Sequence, residues 1–294
     1  MKRINYLIVI TLLLQSIVTG QDGQSNESWT IAPALKRIIK SEILGRNVRL
    51  QIGLPEKYCD TENYYGVIYY MDAYAFSGMI RETAFFLQKD KDIPLSITVG
   101  IDMEVNTYDD WYEHRSYILS PTKSDIYEKD FGLLESWTGG GSRFHKSLKE
   151  EIIPYIEKEF RAKPGNRTIV GHSLGGLFAL YTLFQTPELF ERYLVSSPSL
   201  PWDNRVIFKW ESDYAEKNVD LSAKVFLSVG SLENLPYDMM VHHLRELAAI
   251  FELRKYPGLE VTSIVFEGET HSSVPPAAFS KGLRTLYSSD LINP

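Results

Sequence analysis

The stretch TIVGHSLGGLFALYTL, residues 168–183, constrains the fold of this chain more than any other. A β-branched run, Thr168 to Val170, is typical of a strand buried in a parallel sheet, and apolar residues downstream recur at helical spacing: Leu177, Leu180, Tyr181 and Phe184. Between strand and helix lies a G-x-S-x-G pattern, Gly171, Ser173 and Gly175. The pattern alone is weak evidence, but a strand-to-helix turn is the setting that a nucleophile elbow requires.

In such an elbow the serine takes a strained backbone conformation, and the flanking glycines let the helix approach the strand. A helix that begins at Leu174 also directs its free N–H groups and the positive end of its dipole at charge that develops above Ser173. The alternative at this point is a glycine-rich crossover turn without chemistry.

The composition fits one enzyme-sized domain. The chain has 294 residues, of which 44% are hydrophobic, and its formal net charge is −7. We expect a single α/β catalytic domain over residues 30–294. The acidic balance and the lack of a basic run argue against a nucleic-acid partner. Oligomeric state does not follow from the sequence.

The N-terminus resembles a signal peptide. Lys2 and Arg3 precede an apolar run over residues 6–18, which is shorter than the roughly 20 residues that span a bilayer as a helix. We expect a signal peptide over residues 1–20 and a polar linker over 21–29, hence export to the periplasm or the exterior. A permanent membrane anchor is the less favoured alternative. The single cysteine, Cys59, excludes an internal disulfide.

Predicted strands and helices alternate along the chain. The segments ALKRIIKSEIL and RNVRLQIGLP predict an N-terminal antiparallel hairpin around Gly45. Five further segments predict strands: YYGVIYYMD, PLSITVGID, RYLVSSPSL, KVFLSVGSLE and VTSIVFEGE. Helices are predicted over MIRETAFFLQ, over residues 143–160 with a kink at Pro154, and over residues 238–254 and 276–287. The alternation predicts a mostly parallel central sheet with helices on both faces.

In such sheets the reactive groups collect where the strands end. Three predicted strand ends carry, in chain order, Ser173, Glu233 and His271. Acyl transfer by serine needs a base for the hydroxyl proton and an anion that orients this base, and serine, acid, histidine is the chain order of α/β-hydrolases. Asp238 and Glu269 stay open as alternative acids.

The other histidines fit the role of base less well. His172 adjoins the nucleophile, but neighbours on an extended strand point to opposite sides. The segment HHLRE, residues 242–246, lacks a completed H-E-x-x-H signature, so we expect no metal and no cofactor.

An oxyanion hole needs two backbone N–H groups. Leu174, directly after the nucleophile, is expected to supply one, and Tyr74, after the strand that ends in MDAY, is the candidate for the other.

The expected substrate rim combines aromatic and cationic side chains. Arg115, Trp137 and Trp202 are the leading candidates, and four further side chains join them: Trp111, Tyr112, Arg143 and Arg205. Such a rim suits an aromatic or anionic acyl ester.

With these residues assembled, the chain resembles a family of α/β-hydrolase esterases. That family includes siderophore trilactone esterases of the enterochelin type, S-formylglutathione hydrolases, feruloyl esterases and mycolyltransferases. The resemblance covers roughly residues 30–290 and rests on several blocks in order, among them VIYYMDAYAF, GHSLGGLFALYTLF, SVGSLEN and FEGETHSSVPPAAFSKGLRTLY. It implies Ser173 as nucleophile, His271 as base and Glu233 as acid, with Tyr74 and Leu174 as oxyanion donors. MDAY departs from the Asp-Gly that the family often has, and since alanine does not adopt glycine's left-handed conformations cheaply, this departure bears on Tyr74 as the second oxyanion donor.

The leading hypothesis is therefore an exported serine carboxylic-ester hydrolase that acts on a small-molecule ester, with a catecholate siderophore or an aromatic or acetyl ester as candidates. Two alternatives remain. One is an acyltransferase that uses the same acyl-enzyme, and the other is a binding protein that keeps the fold without the chemistry.

Overall fold

The computed structural model describes residues 34–125, 132–233 and 239–290, all within a compact unit that spans residues 32–294. The predicted signal peptide and polar linker, residues 1–29, lie outside the described residues, as does Asp238, one of the alternative acids.

An eight-stranded sheet with the order β1-β2-β4-β3-β5-β6-β7-β8 organises the described residues. The pairs β1/β2 and β2/β4 are antiparallel, and every other neighbouring pair is parallel. The strands are β1 (Ala34–Ser41), β2 (Arg46–Gly53), β3 (Tyr65–Met71), β4 (Ser96–Met103), β5 (Ala162–His172), β6 (Arg192–Ser196), β7 (Ala223–Gly230) and β8 (Leu259–Phe266).

The predicted hairpin is present at the edge of this sheet. Ser41 pairs with Arg46 across a tight turn in which Gly45 has φ of 70°, a left-handed conformation that glycine adopts without a steric penalty. The edge strand β1 is largely exposed, whereas β2 buries alternate residues against the core. Strand β1 therefore shields the polar backbone of β2. The parallel part of the sheet begins with β4 and β3.

The helices are α1 (Ala73–Lys89), α2 (Tyr108–Leu119), α3 (Gly141–Ser147), α4 (Ile153–Glu159), α5 (Leu174–Gln185), α6 (Trp202–Ala215), α7 (Met240–Arg254) and α8 (Pro275–Leu286). One buried cluster packs beneath α2, α5 and α7, and a second lies beneath α1 and α8, so both faces of the sheet are covered. The arrangement confirms the α/β-hydrolase fold. Within the described ranges, no helix has both the length and the apolar character needed to cross a membrane.

Two of these helices, α2 and α6, lie in segments for which neither a helix nor a strand was predicted from the sequence. The side chain of Thr107 accepts a hydrogen bond from the Asp110 N–H at 3.1 Å, which caps the start of α2, and Asp109 adds negative charge to its first turn. This Thr-x-x-Asp pattern was the readable signal for the helix.

The helix predicted over residues 143–160 has its irregularity one turn before the expected kink. A π-helical turn, Leu148–Ile152, joins α3 to α4, and Pro154 lies in the first turn of α4. Proline has no N–H to donate within a helix, and the wider turn that precedes it accommodates this loss.

Candidate active site

The nucleophile elbow has the strained geometry expected of it. Ser173 lies between β5 and α5 with φ of 59° and ψ of −121°, a conformation that residues with a side chain rarely adopt. Its N–H donates to the Ser196 carbonyl at 3.0 Å, and its own carbonyl accepts the N–H groups of Leu177 and Ser199. Backbone contacts from two directions hold the strained residue in place, as is typical of functional sites.

Close packing at the elbow explains why glycine stands before the serine. A Cβ atom at Gly171 would lie 2.1 Å from the carbonyl oxygen of Gly175, a distance that no side chain tolerates. A Cβ atom added to Gly175 would lie 3.3 Å from the Met71 side chain and 3.4 Å from Asp72 Oδ2. The first glycine is thus required for the helix to approach the strand, and the second brings α5 against the end of β3.

The predicted acid and base lie together. The Nδ1 atom of His271 is 2.6 Å from Glu233 Oε2, and Glu233 is buried. Its other oxygen accepts hydrogen bonds from the Ser197 hydroxyl and the Gly230 N–H, both at 2.7 Å. These partners fix the carboxylate, which in turn holds His271 with Nδ1 toward it and leaves Nε2 for a reacting proton.

His172 places this base next to the elbow. The rings of His172 and His271 have centroids 4.5 Å apart, and His172 immediately precedes Ser173. Burial, followed by the neighbouring His271 and Arg115, lowers the pKa of His172 well below its usual range. His172 is therefore a neutral, buried ring whose Nδ1 contacts the Ser196 hydroxyl at 3.1 Å, and it packs against the base.

The turn at Asp72–Tyr74 departs from expectation in one respect. Asp72, with φ of 58°, occupies the left-handed position, whereas Ala73 is the first residue of α1 and needs no left-handed conformation. The Tyr74 N–H, predicted as an oxyanion donor, donates to the carboxylate of Asp102 at the end of β4. That N–H is therefore already in use. The Leu174 N–H, by contrast, has no acceptor within the described residues.

Two buried acids and one arginine stabilise this turn. Arg115 forms a two-fold contact with Asp72, Nε to Oδ1 at 2.6 Å and Nη2 to Oδ2 at 2.9 Å. Burial alone would lower the pKa of Arg115, but the Asp72 carboxylate raises it and prevails. Burial and the Asp72 charge raise the pKa of Asp102 well above its usual range, although the Tyr74 N–H, Trp111 and Arg115 act in the opposite direction.

Two of the predicted rim residues are not rim residues in this structure. Trp202 is fully buried, and its indole N–H donates to Thr122, to the hydroxyl at 3.2 Å and to the carbonyl at 3.3 Å. Arg115 is 9% exposed and uses its charge on Asp72. Trp137 is half-buried in a short 3-10 turn, Glu135–Trp137, that packs near α2.

The other two predicted arginines also have partners. Arg143 donates to the carbonyl of Ile43, and Arg205 forms an ion pair with Glu246. Arg115 and Arg205 are therefore paired with acidic side chains, whereas Arg143 is exposed and donates to a neutral carbonyl.

Four polar residues at the site escaped the sequence analysis: Ser197, Ser199, Asp72 and Asp102. The hydroxyl of Ser199 lies 3.4 Å from that of Ser173. Asp72 and Asp102 close the predicted strands YYGVIYYMD and PLSITVGID, so the rule that reactive groups collect at strand ends could have singled them out. Ser197 and Ser199 lie in a loop after β6, although the segment RYLVSSPSL predicted a strand through both residues.

A serine held in this conformation at the head of α5, on a sheet of this order, places the chain among the serine hydrolases with the α/β-hydrolase fold. Within that class, the chain belongs to the family described as "Putative esterase", whose model matches residues 41–272.

Curated relatives and solved structures agree with this family. The ferri-bacillibactin esterase BesA of Bacillus subtilis is 28% identical over 269 residues, which are 90% of this chain and 92% of the relative. The BES protein from Bacillus cereus is 29% identical with a TM-score of 0.75, covering 90% of this chain and 99% of that one. An IroE-like serine hydrolase from Shewanella oneidensis is 25% identical with a TM-score of 0.76, covering 87% and 80%.

Proposed function

We propose that this esterase hydrolyses the ester bonds of a siderophore through an acyl-enzyme on Ser173, with His271 as general base and Glu233 as the orienting acid. The observation that carries the proposal is the 2.6 Å contact between His271 and the buried Glu233, beside a strained serine. The substrate class is taken from the similar proteins, which are named as esterases of bacillibactin and of other siderophores.

Each step uses a group at the site. His271 Nε2 takes the hydroxyl proton as Ser173 Oγ attacks the ester carbonyl, and Glu233 stabilises the resulting imidazolium. The Leu174 N–H and the dipole of α5 stabilise the oxyanion. His271 then gives its proton to the leaving alcohol, and water attacks the acyl-enzyme by the same route. Tyr74 can act as the second donor only if its N–H exchanges Asp102 for the oxyanion.

Export is part of the proposal. The basic residues Lys2 and Arg3 and the short apolar run over residues 6–18 support cleavage of a signal peptide near Gly20. An enzyme placed in this way would meet siderophore esters outside the cytoplasm. Mass spectrometry of the mature N-terminus from cells that express the full chain tests this point.

The first experiment is the intact mass of the protein after incubation with a fluorophosphonate. We expect one adduct on the wild type, none on Ser173→Ala or His271→Ala, and a retained adduct on Ser199→Ala, whose hydroxyl lies nearest to the nucleophile. An adduct that persists in Ser173→Ala would overturn the assigned nucleophile. The absence of an adduct on folded wild type would favour the binding protein without chemistry.

A trilactone siderophore then tests the reaction itself. Hydrolysis supports the proposal when its rate does not depend on added alcohols. Product esters of the added alcohol would instead identify an acyltransferase.

A further inference from the structure

A cleft between helix α1 and the strands β2 and β4 lies away from the nucleophile elbow. Arg81, Phe85 and Lys89, spaced four residues apart on one face of α1, form one wall. Gly53 at the end of β2 and Ser96 at the start of β4 form the other. The proposed catalytic residues lie where the parallel strands end, whereas this cleft lies where β4 begins. It is therefore separate from the candidate active site.

Arg81 is a buried cation in the wall of this cleft. It is 8% exposed, and its Nε and Nη2 atoms are buried with no hydrogen-bond partner in the part of the chain that the structure describes. Arg115 is buried to a similar degree but has two hydrogen bonds to the Asp72 carboxylate. Burial of an unpaired charge is costly, so Arg81 has reason to bind an anion that Arg115 does not have.

The polar groups near Arg81 do not neutralise its charge. Burial raises the pKa of Tyr70 to about 12, although the charge of Arg81 acts against this rise, so the Tyr70 hydroxyl is neutral. Glu82 follows Arg81 on α1, but its Oε2 atom is itself buried without a hydrogen-bond partner among the described residues. Gln88 uses its side-chain oxygen to accept the Ser96 N–H at 2.7 Å. The charge of Arg81 is thus available to an anion in the cleft.

The other residues of the cleft decide which kind of anion fits. Leu54, Phe85 and Leu95 supply apolar surface. The exposed side chains of Lys89 and Glu56 carry opposite charges, so the positive charge of Arg81 is what remains, and it matches a monoanion better than a dianion.

The size of the cleft points the same way. The centres of water-sized molecules can occupy about 30 Å³ of it, which is room for about two waters and so for the two oxygens of a carboxylate. A planar carboxylate also matches the fork of donors on a guanidinium. Apolar walls favour a ligand whose remaining atoms are apolar as well.

We propose that this cleft is a binding site for a small organic monocarboxylate. The carboxylate binds the Arg81 guanidinium where Arg81 lines the cleft, and the apolar chain of the ligand packs against Phe85 and Leu95. The site goes beyond the proposed function and does not depend on it, because a chain without esterase activity would bind the same ligand.

Ligand-observed NMR with butyrate tests the site, with butyramide as the uncharged ligand of the same shape. We expect butyrate to bind Arg81→Met about tenfold more weakly than wild type, and butyramide to bind wild type about tenfold more weakly than butyrate. Arg284→Met, which removes an exposed arginine of α8, is the matched control and should keep the affinity of wild type.

Three results overturn the proposal. Butyrate fails to bind wild type, or it binds wild type and Arg81→Met equally well, or butyramide binds as tightly as butyrate. Inorganic phosphate is the remaining probe. If it binds more tightly than butyrate and needs Arg81 to do so, the assignment to monocarboxylates is wrong.

Thermal unfolding gives a second readout of the same variant. Because Arg81 is an unpaired buried cation, Arg81→Met should unfold at a higher temperature than wild type in buffer without butyrate. Added butyrate should raise the melting temperature of wild type and not that of Arg81→Met, since only the wild type binds it tightly. A folded Arg81→Met that melts below wild type in both buffers would mean that the fold already satisfies Arg81, which overturns the site.

A crystal of the wild type grown with 4-bromobutyrate gives a result that needs no variant. We expect anomalous signal from the bromine in the cleft, beside Phe85 and Leu95, with the carboxylate toward Arg81. Bromine only at Ser173, only at the surface or nowhere would overturn the site.

Discussion

The site has two buried carboxylates at strand ends, Glu233 after β7 and Asp72 after β3, and their hydrogen-bond partners differ. Glu233 is buried but keeps one oxygen for His271, so its charge faces the proposed base. Asp72 gives both oxygens to Arg115, and neither partner is left for a substrate. The two carboxylates are both buried, so their partners, and not their burial, set them apart: one faces a histidine and the other is held by an arginine.

The strongest test of this comparison is Glu233→Gln. The amide keeps the size of the side chain but can present an N–H to His271 Nδ1, which favours the wrong tautomer of the base. We expect kcat to fall by roughly 10³- to 10⁴-fold, with little change in stability. Steady-state kinetics on a p-nitrophenyl ester measures the effect.

Glu269→Gln is the matched control, because this nearby half-buried glutamate accepts a hydrogen bond from Ser273 and has no hydrogen bond to His271 among the described contacts. It should leave kcat unchanged. A loss below about tenfold in Glu233→Gln would mean that Ser173 and His271 act as a pair without need of an acid.

The Arg115→Met change tests the other half of the comparison. Removal of the guanidinium leaves the buried Asp72 carboxylate without its partner, and we expect a loss of about 3–5 kcal/mol in the free energy of unfolding. Urea denaturation measures this loss.

The same variant also tests whether Arg115 contacts substrate. The ratio of KM values for a neutral and an anionic ester should stay constant, because Arg115 holds the turn and does not bind the acyl group. A selective rise in KM for the anionic ester, with stability unchanged, would return Arg115 to the substrate rim.

The sequence predicted which residues lie at the strand ends of this site, but it did not predict which side chains pair with each other. Strand ends could be placed because hydrophobic runs mark where strands stop, and the order of the runs brought Ser173, Glu233 and His271 to one edge. Backbone geometry and chain order carried that prediction. The partner of a side chain depends on residues far apart in sequence, and no local pattern marked Asp72 as the partner of Arg115, 43 positions later.

Trp202 illustrates the same limit. Its neighbours Pro201 and Asp203 are typical of a surface loop, yet Trp202 is fully buried, because Thr122, 80 residues earlier, satisfies its indole N–H. Trp202 was therefore predicted to line the substrate rim, although it belongs to the hydrophobic core.

Asp102→Asn gives the smallest expected effect and the finest test of the comparison. The native pKa of Asp102 lies above its unfolded value, so the folded protein binds the proton more tightly. Stability contributed by this group is then fully present at low pH and is lost as pH rises from the ordinary carboxyl range through the raised native pKa. Asparagine keeps an oxygen for the Tyr74 N–H without the buried charge. We expect the variant to match wild type near pH 4 and to exceed it at neutral pH by about 1 kcal/mol or less.

Asp72→Asn is the opposite case on the same turn, because it leaves Arg115 as a buried cation with one weakened partner, and it should lower stability at neutral pH. Thermal unfolding of both variants from pH 4 to pH 8 gives the comparison directly. If Asp102→Asn were the more damaging of the two at pH 7, the Asp102 carboxylate would be the charge that holds the turn. The Tyr74 N–H would then be fixed away from the oxyanion. If instead the signs differ as expected, Asp102 holds that N–H only loosely, and a substrate oxyanion can compete for it.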